Sequence, residues 1–178
     1  MAAGAATGPA ARVARAWAVL DGVLDPEVPA LSVRDLGIVR DVREVDAPAP
    51  VLEVVLTPTY SGCPATEVIE RSVLEALEAA GLGPVRATLQ RAPAWSSDWI
   101  SPDGRRKLRE YGIAPPCTVE PGDPVPIRFV GRSRAEAVAC PRCDSRDTER
   151  LSAFGSTACK ALYRCLACRE PFEYFKPI

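Results

Sequence analysis

Apolar residues fall in short bursts along this chain, and the spacing within each burst predicts its element. Residues Arg12 to Leu20 form an alanine-rich run of helical character. Asp25-Pro26-Glu27-Val28-Pro29 breaks it, because proline lacks a donor and drives its predecessor toward extended backbone. From Gly37 to Val45 the apolar positions Ile38, Val39, Val42 and Val45 alternate imperfectly, which predicts a strand. Asp46 to Pro50 reads as a turn, and Val51 to Leu56 as a second, buried strand paired with the first as a hairpin.

A loop, Thr57-Pro58-Thr59-Tyr60-Ser61-Gly62-Cys63-Pro64, leads into the clearest helical pattern. Ala65, Val68, Ile69, Val73, Ala76, Leu77 and Ala80 make one stripe, with Glu67, Glu70, Arg71, Glu75 and Glu78 opposite. This predicts a helix to about Ala80, stopped at Gly81. Leu74 sits among the charges as an ordinary exposed leucine or a partner contact. Pro84 to Gln90 predicts a third strand. The order is βαβ-like, a small mixed α+β layer. Beyond Trp95 and Trp99, Ser101 with Pro102 can open a further short helix that ends before Gly112.

Ile113 to about Ala135 is proline-rich and reads as a semi-extended linker. The expected organisation is a flexible start over 1–10, an α+β domain over 11–112, a linker over 113–135 and a small module over 136–178. That last module carries Cys140-Pro-Arg-Cys143 and Cys165-Leu-Ala-Cys168, separated by 21 residues. Paired knuckles at this spacing can close a four-thiolate metal site, and a small module gains much of its folding free energy from such an ion. The alternative is four free or redox-active thiols. Zinc is the default for a closed site of this kind, and an iron–sulfur cluster uses the same donors. Thr148 to Phe154 and Ala161 to Arg164 supply strands, with Phe172, Tyr174 and Phe175 as late aromatic cover or as partner contacts. Many ribbon knuckles have glycine after the second cysteine. Here Asp144 and Arg169 stand there, which brings the knuckle geometry into question. Cys159 reads as a buried apolar residue, a fifth ligand or an exchange partner, and Cys117 has no specific role.

Composition narrows the chemistry. At 178 residues and 47% apolar content the chain can bury a real core. No apolar run approaches a membrane span, and the Ala/Gly-rich start does not read as a secretory signal. A cytoplasmic location follows, where paired cysteines bind metal rather than form disulfides. Net charge is −1, and from Glu136 onward there are seven basic and six acidic residues, which argues against a nucleic-acid partner. The chain has no histidine, so Ser–His and Cys–His catalytic pairs are excluded. Cys63, after Gly62 and before Pro64, falls near a helix N-terminus, where the dipole favours thiolate. It is a metal or cluster ligand, a nucleophile, or a plain buried cysteine. Thr57, Thr59 and Ser61 add hydroxyls that can orient a ligand.

Asp25-Pro-Glu-Val-Pro, Asp35-Leu-Gly-Ile-Val and Thr57-Pro-Thr-Tyr-Ser-Gly-Cys-Pro resemble the small domain of iron–sulfur assembly factors. Trp99-Ile-Ser-Pro-Asp-Gly-Arg-Arg-Lys-Leu, Phe154-Gly-Ser-Thr-Ala-Cys-Lys-Ala-Leu-Tyr-Arg-Cys and Glu170-Pro-Phe-Glu-Tyr-Phe-Lys-Pro-Ile resemble the PaaD (PaaJ) family, the D components of bacterial phenylacetyl-CoA epoxidase systems. The resemblance implies a mixed-sheet iron–sulfur-assembly-type domain followed by a zinc ribbon. It also implies an accessory role in aerobic phenylacetate degradation, maturing iron or iron–sulfur centres of the diiron oxygenase or its reductase. On that pattern Cys63 is the assembly-domain cysteine, and Asp25 and Glu27 form the acidic-proline motif. They are oxygen ligands, partner contacts or simple turn formers. A single thiolate would need a second chain, as in a homodimer, or a client to complete its coordination. The chain carries no Glu-x-x-His diiron motif and no dinucleotide glycine fingerprint, so it is expected to be neither oxygenase nor reductase. A stable structural subunit and an electron-transfer protein are the competing expectations.

Overall fold

The structure is a computed structural model and describes residues 8–47, 49–60, 62–117 and 138–178. The expected flexible start therefore falls largely outside the described residues, as do positions 118–135 of the expected linker. The chain forms two compact units, residues 1–95 with 99–101, and residues 96–98 with 102–178.

In the first unit, helix α1 (Pro9–Leu20) precedes strands β1 (Val39–Ala47) and β2 (Ala49–Leu56), helix α2 (Ala65–Ala79) and strand β3 (Val85–Leu89). The sheet order is β1-β2-β3, with β1 and β2 antiparallel and β2 and β3 parallel. The hairpin and the βαβ order match expectation. α1 begins at Pro9, a proline in the first turn, where its missing N–H has no helical partner to lose. Arg12 ties α1 down by donating to the Leu82 carbonyl at 2.7 Å and pairing with Glu44 at 3.0 Å. On α2 the row Ala65, Ile69, Val73 and Leu77 is buried, each four residues on and so on one face. Val68, expected in the stripe, is 43% exposed.

The imperfect alternation of β1 has a structural cause. Its register shifts between Val39 and Asp41, a bulge that lets Val39 and Val42, three apart, both be buried. Arg40 sits at that bulge with its guanidinium 3.5 Å from the Trp99 ring centroid. β2 is buried on both faces, so its outward position Glu53 is a carboxylate at 5% exposure. It lies in register between Arg43 and Arg86, and accepts from both and from Thr88 at 2.8 to 3.0 Å.

Two buried loops fasten this unit. Ser32 and Asp35 cap each other reciprocally, each side chain accepting the other's backbone N–H at 3.0 Å. Gly37 has φ +66, and a Cβ there would stand 2.6 Å from the Trp99 carbonyl oxygen. Trp95 donates its indole N–H to the Leu36 carbonyl at 2.9 Å, holding the tryptophan segment against the same turn.

The second unit contains helix α3 (Pro102–Tyr111) and strands β4 (Ile113–Ala114), β5 (Thr148–Ser152), β6 (Lys160–Cys165) and β7 (Pro171–Phe175), in sheet order β4-β7-β6-β5. This differs from the expected partition in two ways. α3 groups with the ribbon instead of with the α+β domain, and Ile113–Ala114, placed in the linker by their proline-rich surroundings, form a strand parallel to β7. Both differences rest on long-range contacts. β4 completes the ribbon sheet, and Arg105 of α3 donates to the carbonyls of Pro116 and Ser97 at 2.6 and 2.8 Å. Phe172 and Tyr174 pack on Tyr163 with ring centroids 5.8 and 5.6 Å away, and Phe175 is also buried, so these aromatics are ribbon core.

Gly37→Ala should destabilise the first unit by at least about 2 kcal/mol, since a left-handed non-glycine residue and a backbone clash combine; urea unfolding measures this. Hydrogen bonds from Arg43, then from Thr88 and Arg86, hold the Glu53 pKa below its ordinary value of 4.5 despite burial. A lowered folded pKa gives stability that is present above the ordinary value and lost as pH falls through the folded one. Stability should therefore decline below about pH 4.5, and Glu53→Gln should flatten that limb while costing about 1–3 kcal/mol at neutral pH.

Candidate metal centre and cysteine cavity

The two knuckles fold as turns. The first ends with the Asp144 N–H bonded to the Cys140 carbonyl at 3.0 Å, and the second with the Cys165 N–H bonded to the Glu170 carbonyl at 3.0 Å. The residues after the second cysteines, Asp144 and Arg169, adopt φ +62 and +69. The glycine-type geometry is thus kept without glycine. Asp144 is further held by an ion pair with Arg109 of α3.

The four sulfurs of Cys140, Cys143, Cys165 and Cys168 all lie within 4.8 Å of one another. Cys140 and Cys168 are 3.8 Å apart, and Cys143 and Cys165 are 3.6 Å apart. A tetrahedron with metal–sulfur bonds of about 2.3 Å has an edge of about 3.8 Å, so this donor set fits a single thiolate-bound ion. A polynuclear cluster interposes further atoms and spreads its thiolates more widely. Cys140 and Cys165 are buried, while Cys143 and Cys168 are exposed. The set is electrostatically uneven. The Cys168 backbone N–H points at the Cys165 sulfur and lowers that pKa to about 7. At Cys168 the Glu170 backbone N–H lowers the pKa, but local desolvation of the sulfur among its neighbours and the thiols of Cys165, Cys143 and Cys140 outweigh it and push the group up to about 12. Cys159 is buried, contacts the Thr157 hydroxyl at 3.0 Å and stands outside the cluster.

The first unit presents a different kind of sulfur. Gly62, at φ +82, turns the chain into Cys63 two residues ahead of α2. Cys63 is half-buried, and its carbonyl accepts the Thr66 N–H at 3.1 Å. It borders a cavity of about 600 Å³, with Thr66 and Glu67 from the start of α2 and Leu89 and Arg91 from the end of β3. Glu67 and Arg91 are the contributions that local reading missed. The parallel pairing of β2 and β3 was their only signal, because it brings the loops after both strands to one end of the sheet. Of the expected hydroxyls, Thr57 is 1% exposed and its Oγ1 has no hydrogen-bond partner among the described residues, while Ser61 lies outside them. Asp25 is buried, and its Oδ1 accepts the N–H groups of Glu27 and Val28 at 3.0 and 2.7 Å. That is turn chemistry, and neither Asp25 nor Glu27 is among the residues that border the Cys63 cavity. Among the described residues no helix is long and apolar enough to cross a membrane.

Comparison with known proteins agrees with this division. Residues 14–89 match the family model of an iron–sulfur cluster assembly protein, and residues 126–176 match that of the PaaD zinc beta ribbon domain. A crystal structure of a domain of unknown function, DUF59, from Bacillus anthracis superposes with a TM-score of 0.50 at 24% identity. It covers 56% of this chain and 93% of that one, and shows the fold of the assembly-type domain. A protein of Escherichia coli (strain K12), named as the putative D subunit of 1,2-phenylacetyl-CoA epoxidase, is 48% identical over 162 residues, covering 91% of both chains. With an assembly-type domain, a four-cysteine ribbon and that degree of identity along nearly its whole length, the chain belongs to the PaaD family of phenylacetyl-CoA epoxidase components.

Proposed function

We infer that this chain is a non-catalytic accessory protein of a phenylacetyl-CoA epoxidase system, and that it matures or inserts the iron or iron–sulfur centres of a partner component. The observation that carries the reading is the contrast between its two sulfur sites. The ribbon offers four converging sulfurs, a closed set that leaves no coordination position open. Cys63 offers one sulfur beside a cavity with a carboxylate and a guanidinium on its border. An ion held by one thiolate is held incompletely, and incomplete coordination suits transfer. Glu67 adds an oxygen donor beside the Cys63 sulfur, and Arg91 offsets the negative charge of a thiolate-bound cargo. A second chain or the client would supply the remaining ligands.

Zinc is the ion that best suits the ribbon, held by Cys140, Cys143, Cys165 and Cys168. It is redox-inert and supplies folding energy alone. The single-ion spacing of the sulfurs weighs against an electron-transfer cluster at this site. The name of the E. coli relative favours a second reading, a stably bound component of the epoxidase assembly, located in the cytoplasm with it. Constant stoichiometry through purification would support the bound component; substoichiometric recovery would support the maturation factor.

Cys140→Ser combined with Cys143→Ser should reduce bound metal from one ion per chain to none and open the second unit to protease, since structural zinc contributes about 10–16 kcal/mol in comparable sites. Cys159→Ser should retain the full ion. Elemental analysis and limited proteolysis test both. Cys63→Ala should leave stability within about 0.5 kcal/mol, yet cells carrying it should yield an oxygenase partner with most of its iron missing. A fully loaded, fully active oxygenase from those cells would remove Cys63 from the function.

A further inference from the structure

The second unit has another cavity, which neither sulfur site uses. It measures about 440 Å³ and opens beside the first knuckle. Ala114 ending β4, Val138 and Pro141 around the knuckle entrance, and Tyr174 on β7 form its apolar wall. Ala114, Val138 and Tyr174 belong to the buried core of the unit, so this wall is fixed by packing. The phenolic oxygen of Tyr174 is 3.0 Å from the Cys117 sulfur at the same wall.

The rest of the lining is cationic. Arg109 of α3 and Arg146 both border the cavity, and no carboxylate is among its described lining residues. Arg109 commits one terminal nitrogen to Asp144, which leaves the other donors of its fork available. Arg146 is exposed, and its guanidinium has no ion pair or hydrogen bond among the described residues. Two arginines over an apolar hollow match a ligand with an anionic head and an apolar body. Their planar forks match a carboxylate, which they can bind bidentately. The volume lies within the roughly 300–1,000 Å³ of small-ligand sites.

We propose that this cavity binds a carboxylate joined to an apolar body, with the carboxylate on Arg146 and Arg109 and the body against Val138, Pro141 and Tyr174. A free alkyl or aryl acid and the C-terminus of a protein ending in an apolar residue share this chemistry. The proposal does not depend on the role inferred for Cys63.

The full chain, purified with its metal, is titrated with hexanoate as the free acid and with acetyl-Ala-Leu as the chain-end mimic. Calorimetry reads affinity, and ¹H–¹⁵N spectra read location. At least one acid should bind and shift the amides of Ala114, Ala139 and Tyr174; the tighter of the two identifies the source. Hexan-1-ol and inorganic phosphate should bind at least about tenfold more weakly, because each lacks half of the recognition. Arg146→Gln should weaken the better acid by about tenfold or more, with melting temperature and metal content unchanged, and Arg146→Lys should fall between. Failure of both acids to bind, equal binding of hexanol or phosphate, or undiminished binding by Arg146→Gln overturns the proposal.

Discussion

Four sulfur atoms held within 4.8 Å of one another cannot all carry charge unless a cation stands among them. That constraint organises the second unit. Two of the four, Cys140 and Cys165, are also members of its apolar core, beside Val138, Tyr163 and Phe172. The same residues therefore serve both packing and ligation. A sheet whose strands run two to six residues has little else to hold it, and a thiolate-bound ion supplies what the small core lacks. The left-handed backbone at Asp144 and Arg169 is the strain that this closure imposes.

The first unit works from the opposite premise. Its buried α2 row and the Leu52, Val54 and Leu56 row of β2 are apolar, and its loops are fastened by buried side-chain caps such as Ser32 with Asp35, so apolar packing and backbone capping hold it. That leaves the Cys63 sulfur available. Parallel pairing of β2 with β3 gathers the loop that carries Cys63 and the segment that carries Arg91 at one end of the sheet. Ligand sites of open α/β sheets favour this location, beyond the carboxyl ends of parallel strands. Within one chain, then, sulfur that completes a fold and sulfur that stays accessible are separated into two units.

Much of this was legible in the residues. Cys140, Cys143, Cys165 and Cys168 announce themselves by spacing, because two three-residue turns each present a pair of sulfurs however the rest of the chain runs. The α2 stripe and the β1–β2 hairpin were readable for the same local reason. β4 was not. Its two residues sit among prolines, and only hydrogen bonds to β7, about sixty residues later, make them a strand. Of the roles open to Asp25 (oxygen ligand, partner contact or turn former), the structure displays the turn, its Oδ1 accepting the Glu27 and Val28 N–H groups, which no residue pattern distinguishes from ligation.

The sequence by itself determined the donor inventory: seven cysteines, no histidine, and the pairing of four of them. It thereby determined that any resident metal is held by thiolate or oxygen and not by imidazole. Tertiary structure decided which donors converge and at what distance. It also decided which charged groups share a cavity with Cys63, and that two arginines far apart in the chain face one apolar hollow. The physical reason is the range of the forces involved. Turn and helix propensities act over a few residues, whereas the meeting of a sulfur, a carboxylate and a guanidinium depends on strand register and sheet order, which no local pattern encodes.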